Sequence, residues 1–236
     1  MVEKVRLRSF LPFLLVLLLA GGCSRIPKII VLEDPLTAAE HVELGVAYER
    51  KGELDLAQRE YERALRKDGK FYRARVNLGN IFLSKKEYGK AREEYLLALE
   101  LRPGDAEATN NLSWAAIFSG EGIEEALARM ESVVSAPSAT PIGSTPPARS
   151  SKWGAPGGRQ PILLDTLGVL RMHANRPAEA EEAFALADTL CRQAGSASRG
   201  GVNGDPPCPE EVLREIGAHR EELRRRFPSP PPAQVK

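Results

Sequence analysis

The segment HVELGVAYERKGELDLAQREYERAL, residues 41–65, carries the pattern that decides the fold. The same arrangement of small and apolar residues returns in RVNLGNIFLSKKEYGKAREEYLLAL, residues 75–99, and in TNNLSWAAIFSGEGIEEALARMESV, residues 109–133. A fourth copy, LLDTLGVLRMHANRPAEAEEAFALA, occupies residues 163–187. Counted between the equivalent leucines Leu44, Leu78 and Leu112, the period is 34 residues, and Leu167 of the fourth copy follows after 34 plus 21 residues. A fixed period of this length indicates a repeat protein.

Each copy also keeps a fixed internal spacing. A small residue is followed 12 or 13 positions later by an alanine, and a large apolar residue comes four positions after that alanine. The apolar residues fall at helical spacing on either side of a turn, which predicts two helices per copy. The small residue, the alanine and the large residue are, copy by copy, Gly45, Ala57 and Tyr61; Gly79, Ala91 and Tyr95; Ser113, Ala126 and Met130; and Gly168, Ala180 and Phe184.

These residues resemble the tetratricopeptide repeat pattern. The resemblance implies an all-α fold, a right-handed α-solenoid of four helix pairs. Units one to three are expected over residues 38–135 and unit four over residues 161–192. Stacked repeats leave an apolar side at the end of the array. The amphipathic segment 209–227 is therefore expected to be a C-terminal capping helix.

Three segments lack the helical pattern. Residues 136–160 are rich in Pro, Ser and Gly and are predicted to be a flexible insertion between units three and four. Trp153 in this insertion is either a docking residue for a partner or packs weakly on neighbouring helices. Residues 193–208 are predicted to be a flexible loop, and residues 228–236 a disordered tail.

The first 22 residues have the composition of a secretory signal. Basic residues precede an apolar run, FLPFLLVLLLA, that is too short to span a bilayer. The run continues into AGGCS, residues 20–24, which resembles the bacterial lipobox. That resemblance implies that Cys23 is lipidated, that residues 23–37 are a tether, and that Ser24 directs the protein to the outer membrane, facing the periplasm. The alternative is an ordinary secretory signal with a passenger cysteine.

The other two cysteines, Cys191 and Cys208, lie at the two ends of the second predicted loop. If Cys23 is lipidated, these two remain as one pair in an oxidising compartment, which favours a disulfide between them. Two free thiols are the alternative.

Composition and motifs favour binding over catalysis. The net charge of +1 gives no field that would attract nucleic acid. Nucleophile, phosphate-loop and dinucleotide motifs are absent from the sequence, and His41, His173 and His219 lack metal-ligand spacing with cysteine. We therefore expect no enzyme activity, no cofactor and no metal.

The repeat resemblance implies a groove lined by the first helix of each unit. Asparagines are prominent there, and an amide both donates and accepts, so it can pair with a peptide backbone. The alternative is that these asparagines only pair across helices. Val42 and Val46 occupy positions that a carboxylate clamp would need, so a C-terminal carboxylate is not the expected ligand. The predicted groove residues are Arg73, Asn77, Asn80, Asn110, Asn111, Trp114 and Asp165.

The expected function is that of a membrane-anchored scaffold for a partner protein or peptide in the cell envelope. Lipoproteins of this build include pilotins that assist type IV pilus or secretin assembly, and adaptors in cell-wall enzyme complexes. The sequence leaves the choice among these open, together with the oligomeric state.

Overall fold

The computed structural model describes residues 34–136, 156–197 and 208–228. The predicted leader, Cys23, most of the tether, Trp153 and the tail beyond residue 228 lie outside these residues. The chain divides into two compact units, Met1–Pro35 and Leu36–Lys236, and every helix described below belongs to the second.

The fold is all-α, with nine helices and no strand in the described residues. Consecutive helices pair and the pairs stack in chain order, which gives an α-solenoid. The helices are α1 (Ala38–Arg50), α2 (Leu54–Lys67), α3 (Tyr72–Ser84), α4 (Tyr88–Leu101), α5 (Ala106–Ser119), α6 (Ile123–Ser135), α7 (Pro156–His173), α8 (Pro177–Ala197) and α9 (Glu210–Arg226).

The turn inside each helix pair has one recurrent backbone conformation. The residue at the same register position has a positive φ in all four units: Gly52 (76°), Lys86 (61°), Gly120 (74°) and Asn175 (60°). Glycine and asparagine adopt this conformation readily, whereas a lysine does so at some cost. The packing of the two helices therefore imposes the positive φ at this turn even where the residue type does not favour it.

Aromatic rings packed on glycine hold three of the four pairs together. A Cβ added to Gly45 would lie 2.4 Å from the Tyr61 ring, and one added to Gly168 would lie 2.5 Å from the Phe184 ring. Unit three has a serine at the glycine position, and there a flexible methionine, Met130, replaces the aromatic residue. The size of one residue thus matches the size of its partner in each unit.

Two hydrophobic clusters form the core and meet at α5. One contains the buried side chains of α1 to α4, and the other those of α6 to α9. Helix α9 buries Val212, Ile216 and Leu223 against the second cluster, which is how it covers the end of the array.

Some boundaries differ from the predicted ones. Helix α7 begins at Pro156, inside the segment predicted to be flexible, because proline is well suited to the first helical position. Pro161 lies inside the same helix and provides no backbone donor there. Helix α8 continues to Ala197, beyond the predicted end at residue 192. None of the described helices is both long enough and apolar enough to cross a membrane.

Candidate functional site

The first helices of successive units lie side by side and are joined by polar contacts. We call the surface formed by α1, α3, α5 and α7 the first-helix face. Helix α9 extends it as a fifth member. The contacts between neighbouring members are Arg73–Glu43 (3.0 Å), Asn111–Asn80 (2.9 Å), Thr166–Asn110 (2.8 Å) and His219–Asp165 (2.9 Å).

Asn80 and Asn111 form an amide pair in the middle of this face. The Asn80 Oδ1 accepts from Asn111 Nδ2 at 2.9 Å and from the Tyr95 hydroxyl at 2.7 Å. Both amides remain partly exposed. These bonds leave the Asn80 amide nitrogen as a donor and the Asn111 side-chain oxygen as an acceptor for a ligand.

Two tyrosine hydroxyls reach the same face from the second helices. The Tyr61 hydroxyl donates to the exposed Glu49 at 2.8 Å and lies within hydrogen-bonding reach of Asn77. Burial raises the pKa of the Tyr61 and Tyr95 hydroxyls far above the ordinary value, so both stay neutral donors. The repeat pattern predicts only that these two tyrosines are core residues. Their hydroxyl groups were the signal that they also reach a polar surface.

Asn110 and Asp165 are not available to a ligand, contrary to the prediction. Asn110 is 3% exposed, and its side-chain oxygen accepts from the Thr166 hydroxyl. Asp165 is 5% exposed and is covered by His219. Both were predicted from register alone, and the neighbouring helix buries them.

The His219–Asp165 contact fixes α9 on α7. Burial raises the pKa of Asp165, because desolvation outweighs the hydrogen bond that it accepts from His219. Burial alone would lower the pKa of His219, but the hydrogen bond and charge of Asp165, together with Glu215, give a net upward shift. The contact is therefore strongest when the imidazole is protonated.

Aromatic side chains form a row beside the amide pair. The ring centroids of Tyr88 and Phe118 are 5.5 Å apart, those of Phe118 and Trp114 are 5.6 Å apart, and those of Trp114 and His219 are 6.2 Å apart. We call these four side chains the aromatic row. Phe118 is 54% exposed. Of these residues the sequence predicts only Trp114 for the groove, since the repeat register alone does not show that Phe118 is exposed.

The remaining predicted residues are distributed as follows. Arg73 is partly exposed and paired with Glu43. Cys191 and Cys208 are both buried and are joined by a disulfide with Cα atoms 5.1 Å apart, which ties α8 to the start of α9. In the described ranges, acidic residues, histidines and cysteines do not gather into a group that would bind a metal.

Comparison with known families identifies the repeat. Residues 42–106 match the family model described as tetratricopeptide repeat. Residues 42–106 are therefore similar to tetratricopeptide repeats. The matched residues cover α2 to α4 and most of α1, and the helix-pair stacking continues through α8. No curated protein sequence matches this chain.

Solved structures share this fold at low sequence identity. A chain of the APC/C hetero-tetramer Cut9–Hcn1 has a TM-score of 0.57 and 17% identity over 83% of this protein, which spans only 31% of that chain. PilW, a type IV pilus biogenesis factor, has a TM-score of 0.51 and 17% identity, covering 80% of this chain and 77% of its own. YrrB, described as having an unusual peptide-binding site, has a TM-score of 0.50 and 15% identity, covering 81% and 87%.

Proposed function

We propose that this protein is a lipid-anchored scaffold that holds an extended segment of a partner protein on its first-helix face. The observation that carries the proposal is the Asn80–Asn111 pair, whose contact leaves the Asn80 amide nitrogen and the Asn111 side-chain oxygen for a ligand. A peptide backbone offers the complementary acceptor and donor. The buried Tyr95 fixes the pair through its hydroxyl, so the geometry exists before a ligand binds.

The aromatic row adds the apolar part of the proposed site. Trp114 follows Asn111 by three residues on α5, and Phe118 follows Trp114 by four, so the three lie on one side of the helix. Tryptophan and other aromatic residues often supply most of the binding energy at interfaces. A segment that pairs with the amides therefore has a rigid surface for its side chains directly beside them.

Photocrosslinking in envelope membranes tests this proposal. We would replace Phe118 by p-benzoylphenylalanine and, as the control, Leu97 on the second helix α4, which is also exposed. We expect a specific protein to be captured from position 118 and not from position 97. Changing Asn80→Ala and Asn111→Ala together should reduce that capture several-fold. Equal capture from both positions, or capture unaffected by the two alanines, would contradict the proposal.

The membrane anchor is a separate part of the proposal. It is supported by the AGGCS sequence at residues 20–24, which resembles a lipobox. Two or more acyl chains at Cys23 would hold the scaffold stably on the periplasmic side of the outer membrane. Metabolic labelling with a fatty-acid probe should mark the protein and its Cys191→Ser variant, but not Cys23→Ala. Labelling of all three to the same extent would exclude lipidation at Cys23.

Pilus assembly is the pathway with a specific observation in its favour. The likeness to PilW covers most of both chains, and PilW is described as a type IV pilus biogenesis factor. Loss of surface pili on deletion of the gene, restored by the unaltered protein but not by the Asn80→Ala, Asn111→Ala variant, would support this role. Normal piliation in the deletion strain would leave a cell-wall enzyme adaptor as the alternative to pursue.

A further inference from the structure

The aromatic row is wide enough to accept more than one side chain, and part of it faces solvent. The centroids of neighbouring rings lie 5.5 to 6.2 Å apart along the row, which runs from Tyr88 on α4 to His219 on α9. Phe118, in the middle of the row, is 54% exposed. Phe118 contacts a ring on each side, Tyr88 and Trp114. Such a row is a preformed surface for a ligand with flat apolar groups.

The described chain ends close to this row. His219 on α9 is itself the last member of the row, and α9 continues for only seven more residues, or about 10 Å. Arg226, at the end of α9, acts electrostatically on His173 at the end of α7, so the two helices run in the same direction. Pro228 therefore leaves the solenoid within reach of the row.

The residues that follow α9 have a composition suited to the row. The segment from Phe227 reads FPSPPPAQVK, with prolines at 228, 230, 231 and 232 and without an acidic residue. Proline-rich segments favour the polyproline II conformation, which has no internal hydrogen bonds and rises about 3.1 Å per residue. Eight such residues span about 25 Å, which is enough to turn back from α9 and cover the row.

We propose that residues 229–236 lie along the aromatic row, with proline rings on Phe118 and Trp114 and backbone groups on the Asn80–Asn111 pair. Aromatic grooves recognise polyproline II segments in this manner because the segment is already extended and loses little entropy on binding. The unbonded carbonyl groups of such a segment need donors, and the amide pair beside Trp114 offers one.

The proposed docking has a regulatory consequence, and this consequence rests on the proposed function. If a partner uses the same face, it must displace residues 229–236 first. Its apparent affinity is then reduced by the fraction of molecules in which the face is open. The segment would act as an internal competitor that keeps Phe118 covered until a better ligand arrives.

Crosslinking within the purified full-length protein tests the docking. With p-benzoylphenylalanine in place of Phe118, mass spectrometry should find the crosslink on the tryptic peptide that begins at Phe227. The matched control at Leu97 should not capture this peptide. The triple substitution Pro230→Ser, Pro231→Ser and Pro232→Ser, which leaves every helix sequence unaltered, should reduce capture at least five-fold.

Three results would overturn the docking: no crosslink to the peptide from Phe227, equal capture from position 97, or capture that persists in the triple serine variant. A mixture of isotopically labelled and unlabelled protein separates docking within one molecule from docking between two copies. Crosslinks only between copies would also contradict the proposal. No partner is present in the purified protein, so this test is independent of partner capture in membranes. The docking can fail while the proposed function holds, and the docking can hold while the proposed function fails.

Discussion

Gly79 is one of three glycines at which a single added methyl group should clash with a buried aromatic ring. A Cβ at this residue would lie 2.5 Å from Cε1 of Tyr95 and 2.9 Å from two further ring atoms. The ring cannot easily move away, because it is fully buried and its hydroxyl donates to Asn80. Gly79→Ala must therefore push α3 and α4 apart or force the tyrosine out of its hydrogen bond.

The expected cost follows from two opposing terms. Overpacking a well-filled core costs about 1–3 kcal/mol, and three close ring contacts place this site at the upper end. Alanine returns about 1 kcal/mol through its higher helix propensity. We expect a net loss of about 2 kcal/mol in the free energy of unfolding. The control is Gly217→Ala in α9, where a Cβ meets no atom within 4 Å, and which should stabilise the protein by about 1 kcal/mol.

Urea unfolding followed by circular dichroism measures both changes. A third variant, Tyr95→Met, tests the cause. It copies unit three, where Met130 lies opposite Ser113. In this background Gly79→Ala should lower the free energy of unfolding much less. This coupling is what a double-mutant cycle detects. The reasoning is refuted if Gly79→Ala stabilises the protein as Gly217→Ala does, or if its cost is the same with methionine at position 95.

Three further predictions concern the end of the solenoid. Cys191→Ser should cost roughly 3 kcal/mol, because the loop that its disulfide closes becomes unconstrained; reduction should also add two daltons to the intact mass of the wild type. The pKa of His219 in the folded protein is raised above its ordinary value of about 6.5. The stabilisation by protonated His219 is therefore complete below about pH 6.5 and is lost as the pH rises through the higher pKa of the folded state. Thermal melts should therefore show the wild type losing stability with rising pH relative to His219→Gln, and parallel curves would disprove this role for the contact with Asp165. Thr166→Val leaves the buried Asn110 oxygen without its donor and should cost about 1–3 kcal/mol in urea unfolding, whereas an unchanged midpoint would mean that water replaces the hydroxyl.

The sequence predicts the helix pairs well because their determinants are local. The size of Gly45 and that of Tyr61 are both visible in the repeat, and their spacing already implies that one packs on the other. The end of the array was predictable for a related reason, since the segment now seen as α9 has an apolar stripe that needs a surface to cover.

The candidate site was predicted less well because exposure depends on neighbouring units. Asn110 and Asn111 are adjacent in sequence, yet one is buried against Thr166 and the other stays partly open beside Asn80. Register alone assigned both to the groove. Phe118 differs from the expectation for the converse reason: an apolar residue near the end of a helix is expected to be buried, but none of the described helices covers it.

The sequence by itself therefore determined the repeat, the pairing of helices within each unit and the need for a terminal helix. Those features depend on residues less than one period apart, whose spacing is fixed by helix geometry. Only the tertiary structure decided which polar groups of the first-helix face remain open. The contacts Thr166–Asn110 and His219–Asp165 join residues 56 and 54 positions apart. The distance between such partners depends on how successive units stack, because the segment between them contains the insertion or the loop and does not follow the repeat.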